Sequence, residues 1–151
     1  MFPILRVISL VLAFIATTAP LAHVLEMISK LTLDGPLWLA IQQHLYRGWG
    51  AVFGPVEILA LLAALALLIL TRADKALRHF YVIATLCYLG MLASFFAFNM
   101  PVNEALNGWT PQTLPAYWSD YRLHWEIGHL ITAILSLVAF VAQLRAWKRQ
   151  A

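Results

Sequence analysis

Four long apolar runs, separated by polar intervals, dominate the chain: residues 4–25, 51–71, 80–99 and 123–144. A spanning helix needs about 20 largely apolar residues, and each run meets that length. The pattern predicts an all-α integral membrane protein, an antiparallel four-helix bundle forming a single four-span transmembrane domain over 1–151. The first run is read as an uncleaved span, because Pro20 fits poorly beside a signal-peptide cleavage point. Between spans one and two, Asp34 suits a helix cap and Pro36 a first helical turn. Trp38, Leu39, Ile41, Leu45 and Tyr46 then give an apolar stripe. A short interfacial or re-entrant helix over the bundle mouth is expected there. The interval "NMPVNEALNGWTPQTLPAYWSD", rich in Pro, Asn and aromatics, reads as a structured cap.

Composition strengthens this picture. The chain is 62% hydrophobic and 11% charged, where soluble domains carry about a quarter charged residues. The sequence pI near 9.3 raises the question of nucleic acid, but the basic residues are distributed as a topology signal. Arg6, Arg72, Lys75, Arg78, Arg145, Lys148 and Arg149 fall on one side, and Lys30, Arg47 and Arg122 on the other. The positive-inside rule places both termini and the second loop in the cytoplasm of a multi-pass cell-membrane protein. The partners expected are the lipid bilayer and a hydrophobic small molecule, with no nucleic acid; a homo-oligomer or a membrane partner subunit stays open. All the tryptophans except Trp147 lie in or near the outer segments, as rings at the headgroup level would. Cys87 is the only cysteine, so no intrachain disulfide forms, and a buried inert thiol is expected.

The unusual polar residues concentrate at one end. Antiparallel threading brings together His23 and Glu26 at the end of span one, Glu57 early in span two, Asn99 at the end of span three with Asn103 just beyond it, and Arg122, His124, Glu126 and His129 at the start of span four. The opposite halves of the spans carry almost no polar groups. Ionisable groups in a bilayer are costly and mark function by default. His23 and Glu26 are three apart, as are Glu126 and His129, so each pair shares a helix face. Di-iron and di-manganese bundles use Glu-x-x-His elements with lone glutamates. "EIGH" matches one such element, "HVLE" is its reverse, and Glu57 is a lone glutamate. The metal-ligand candidates are therefore His23, Glu26, Glu57, Glu126 and His129, for one or two transition-metal ions, or none. A plainer reading pairs Glu126 with Arg122 as an interfacial ion pair. His124, off that face, reads as an exposed interfacial residue. Glu57, without a basic neighbour at helical spacing, must be protonated, paired across helices or cation-bound; His23 or His129 is the expected partner.

"MPVNEAL" supplies Pro101, Asn103 and Leu106, and "WEIGH" supplies Trp125 and His129. This Pro-x-Asn-x-x-Leu element followed by Trp-x-x-x-His resembles the anthrone oxygenase-like family of small four-helix membrane proteins, largely a domain of unknown function. The likeness covers spans three and four; the first half agrees mainly in hydropathy. Many members place an arginine shortly after the histidine, where this chain has "HLITA". The resemblance implies oxidation of a phenolic polyketide, with no flavin or haem motif evident. On that reading Glu126 or His129 takes the substrate proton, Asn103 and Asn99 hydrogen-bond the resulting oxyanion, and Trp125 forms a wall, with Glu57 as a further ligand-binding residue. The leading expectation is an oxidoreductase-like enzyme, or a binder of a hydrophobic aromatic molecule, with its polar pocket at the outer mouth. The alternatives are a non-catalytic accessory subunit and a metal- or haem-binding protein in which His23 and His129 face each other. A transporter is disfavoured, since no inverted repeat is visible.

Overall fold

A computed structural model describes residues 2–149. The elements are α1 (Pro3–Leu31), α2 (Gly35–Ala40), α3 (Trp49–Leu70), α4 (Lys75–Ser94), α5 (Met100–Asn107) and α6 (Trp118–Lys148). Single π-helical segments, Ile41–Leu45 and Phe95–Asn99, follow α2 and α4. There is no strand among the described residues. Four stretches are long and apolar enough to cross a membrane: α1, α3, α6 and the near-continuous rod Lys75–Asn107. The chain is thus an all-helical bundle of the kind expected of a small multi-pass membrane protein. α1 and α4 each pack against both α3 and α6, closing a four-membered ring.

The bundle is stitched by heptad seams. On α1, Ser9, Ala16, His23 and Lys30 recur every seven residues and all are buried; on α6, Trp125, Thr132, Ala139 and Ala146 do the same. Towards the short α3–α4 turn, the seams are mostly small. Ala13, Ala16, Ala60, Ala64, Ala84 and Ala139 let the backbones approach closely. That half is not free of polar groups, contrary to the hydropathy reading. Ser9 donates to the Gln143 side chain, whose amide donates to the Tyr88 hydroxyl at 2.9 Å. The three residues tie α1, α6 and α4 together, and none of them is conspicuous in a sliding hydropathy window. Cys87 is buried beside them, as expected.

At the other end, which carries the long connections, the helices outrun the spans read from hydropathy. α1 continues to Leu31, so Lys30 is helical and buried, not a loop charge. "MPVNEAL", within the interval read as a structured cap, forms α5. Hydropathy marks what lies in lipid, whereas these extensions are polar on one side and are covered by the cap. The cap is built as the sequence suggests. The Asp34 carboxylate accepts the Leu37 N–H at 2.9 Å and starts α2. Trp38 and Leu39 are fully buried against Val102, Leu106 and Trp125. Gln43 donates its side-chain amide to the carbonyls of Leu106 (2.7 Å) and Trp109 (2.9 Å), closing the C-terminal end of α5. Two expectations fail in detail. Leu45 is 60% exposed, because the wider π turn rotates it out of the stripe. Trp38 and Trp125 are buried in the core of the cap and do not present their rings at its surface.

Candidate functional site

The seam that buries Ala16 on α1 carries His23 inward one heptad later. There the His23 ring meets Tyr46 edge-on at 4.5 Å between centroids, Trp125 at 4.7 Å, Trp49 at 5.1 Å and His129 at 4.2 Å. Trp125 in turn contacts His129 at 4.1 Å. Tyr46 arrives at the end of the first π segment. Trp49 follows Gly48, whose φ of 87° is a left-handed conformation that glycine adopts without steric cost. These rings form one wall of a cavity of about 770 Å³, also lined by Glu57, Asn99 and Asn103.

The second wall depends on a proline and a glycine. Pro101 has no N–H for the carbonyl of Ala97 four residues back. The π segment ends just before it, and the imidazole Nε2 of exposed His124 sits 3.2 Å from that carbonyl. His124 therefore serves the helix break and not the cavity. On α6, Gly128 lies so close to the second π segment that an added Cβ would come within 2.4 Å of Asn99 Oδ1. This approach lets Asn99 Nδ2 donate to the Trp125 carbonyl at 3.0 Å. The Trp125 indole N–H donates to Asn103 Oδ1 at 3.1 Å. Because an indole N–H can only donate, the Asn103 amide is oriented with its NH₂ free.

The carboxylates do not behave as the spacing suggested. Glu126 is buried, but it does not line the cavity. It pairs with Lys30, Nζ to Oε1 at 3.0 Å, and not with Arg122. The contact lies off the axis of a good hydrogen bond, so charge attraction is its main content. Lys30 also sits 4.6 Å above the Trp125 ring. Arg122 instead donates to the carbonyls of Lys30 (3.1 Å) and Leu33 (2.8 Å) and so closes the end of α1. Glu26 accepts the Tyr46 hydroxyl proton, and its carboxylate stands 4.0 Å from His23 Nδ1. Burial, then that bond to Glu26, pushes the Tyr46 phenol above its ordinary range. Glu57 shares the cavity with His23 and His129 without a direct hydrogen bond to either. Lys30, Tyr46 and Trp49 are the components the sequence reading missed. Lys30 carries a signal, its position seven residues after His23, yet a basic residue beyond an apolar run reads equally as a topology charge.

Consequently His23, Glu26, Glu57, Glu126 and His129 do not converge as a metal set. No group of three or more His, Cys, Asp or Glu able to hold a metal ion occurs among the described residues. Glu126 is occupied by Lys30 and Glu26 by Tyr46, and the i,i+3 spacing could not reveal either partner. A haem held between His23 and His129 does not fit. Two metal–nitrogen bonds of about 2 Å each, plus the ring radii, require a wider separation than the 4.2 Å between these centroids.

A family model described as anthrone oxygenase matches residues 43–142, about two-thirds of the chain. The chain belongs to the anthrone oxygenase family. The matched region contains Tyr46, Trp49, Glu57, Asn99, Asn103, Trp125 and His129; His23 and Lys30 on α1 lie outside it. No curated protein and no solved structure gives a significant match.

Proposed function

We propose that this anthrone oxygenase family member oxidises a hydrophobic aromatic molecule with dioxygen inside the ring-lined cavity. The observation that carries the reading is the His23–His129 contact beside an Asn103 amide held with its NH₂ free. A carbon acid flanked by aromatic rings needs a base, a donor for the oxyanion formed, and a dry flat slot. His129, backed by His23, is the base. Asn103 Nδ2 stabilises the developing enolate oxygen. Asn99 is secondary, because one of its donors is committed to Trp125. Glu126, tied to Lys30, has no proton-transfer role here; Glu57 is the carboxylate that faces the ligand.

The reaction R₂CH₂ + O₂ → R₂C=O + H₂O closes without an added reductant. Carbon is oxidised by four electrons, one oxygen atom is retained as the carbonyl, and the other leaves as water. The proton taken by the imidazole is returned to the departing oxygen.

Purified protein in proteoliposomes should consume oxygen when given anthrone and produce the quinone, read by absorbance. His129→Phe, which keeps the ring but loses both nitrogens, should abolish the reaction with the fold intact. Absence of oxygen uptake, with anthrone recovered unchanged, would favour a non-catalytic accessory or binding subunit.

A further inference from the structure

Two wall residues of the cavity present unpartnered polar atoms. His23, 4% exposed, has Nδ1 without a hydrogen-bond partner, and Gln42, 9% exposed, has Nε2 in the same condition. A buried orphan donor or acceptor carries a desolvation cost. Both side chains add polarity to the cavity wall, but these two atoms are enclosed within it, and His23 Nδ1 lies on the side of the Glu26 carboxylate at 4.0 Å.

The cavity has two unlike edges. One is polar and lies in the long connections, with Gln43, His44, Arg47 and Asn107. The other lies within the membrane-spanning stretches, between α3 and α4. It is made by Ile58, Phe95 and Phe96, which line the cavity and yet are 42%, 38% and 60% exposed. Residues of spanning helices that line the cavity and are also this exposed make the wall here only one side chain thick. α3 thins the same wall further with glycine. Gly50 and Gly54, one turn apart, both line the cavity, and a Cβ added at either would meet nothing within 4 Å. At Gly54, which lies inside the helix, glycine costs about 0.5–1 kcal/mol relative to alanine. Packing at these positions does not call for it, whereas passage of a flat ring does.

We infer that the substrate enters sideways from the bilayer through this thin α3–α4 wall. It is a planar, lipid-dissolved aromatic whose hydrogen-bonding oxygens lead towards the polar edge. The chemical class rests on the proposed function; the route does not require turnover.

The probe is anthraquinone dissolved in vesicles containing the protein. It quenches tryptophan fluorescence, and the saturable component reports arrival beside Trp49 and Trp125. Gly54→Phe should reduce the saturable component at least fivefold and slow anthrone oxidation in parallel. Leu59→Phe, exposed on another side of the same helix and outside the cavity lining, should change neither. Phe96→Ala, which truncates an exposed ring and thins the wall, should speed the approach to saturation; it tests the route in the opposite direction if Gly54→Phe fails to fold. Wild-type quenching by both variants would overturn the inference, as would equal saturable quenching by water-borne anthraquinone-2-sulfonate. Saturable quenching that responds to Gly54→Phe, without anthrone turnover in the wild type, would uphold the route and reject the oxygenase.

Discussion

Lys30 on α1 and Glu126 on α6 form a buried ion pair, 3.0 Å from Nζ to Oε1, behind the Trp125 face that looks into the cavity. Neither side chain is more than 4% exposed. Removing one partner leaves an uncompensated buried charge, which costs about 3–5 kcal/mol. Lys30→Met should therefore destabilise the bundle by about that amount. The double variant Lys30→Met with Glu126→Leu should recover most of the loss, because an apolar pair of similar volume is often neutral. Denaturation in detergent, followed by circular dichroism, measures both. A double variant no more stable than the single one would refute the account.

Gly128 and Gly54 should respond oppositely to alanine. At Gly128 the new methyl group would come within 2.4 Å of Asn99 Oδ1 and 2.7 Å of Phe98 Cβ, and at Gly54 it would meet nothing. Overpacking at Gly128 should cost about 1–3 kcal/mol. Gly54→Ala should be neutral or stabilise the protein by about 0.5–1 kcal/mol through helix propensity. Thermal unfolding of the two variants in the same detergent decides this.

Asn103 and Trp125 should be separable by their kinetics. Asn103→Ala removes the proposed oxyanion donor and should lower kcat with anthrone by about 10²–10³-fold. Trp125→Phe keeps an aromatic wall but loses the N–H that orients Asn103, together with part of the ring packed against His23, His129 and Lys30, so the comparison is read from kcat and not from stability. Loss of one net hydrogen bond, worth about 0.5–1.5 kcal/mol, predicts a fall of roughly tenfold or less. Equal losses in the two variants would contradict the assigned roles.

We further propose that both termini lie in the cytoplasm, on the seven-to-three asymmetry of basic residues. In a Cys87→Ser background, Asn107→Cys should react with a membrane-impermeant maleimide in intact cells, and Arg149→Cys should react only after permeabilisation. The reverse labelling would invert the bundle.

Hydropathy alone carries the four spans, the helical class and the returning cap, and i,i+3 spacing with antiparallel threading carries the end of the bundle where polar groups gather. Hydropathy and spacing are properties of one helix at a time. His23 and His129 were legible for that reason, whereas Trp125 and Asn103 stood out through the family resemblance of "WEIGH" and "MPVNEAL". Which partner each polar group took was decided only by tertiary structure. Glu126 reads as a neighbour of Arg122 along its own helix, yet it pairs with Lys30, 96 residues away in sequence. Glu26 went to Tyr46, and with that the expected metal set dissolved. The π segments that deliver Tyr46 and Asn99 were equally hidden, since a one-residue bulge barely alters a hydropathy window while rotating everything after it. Helical periodicity fixes which face a residue is on; the rotation of each helix against its neighbours, set by small-residue seams and by glycine at close approach, fixes what that face meets.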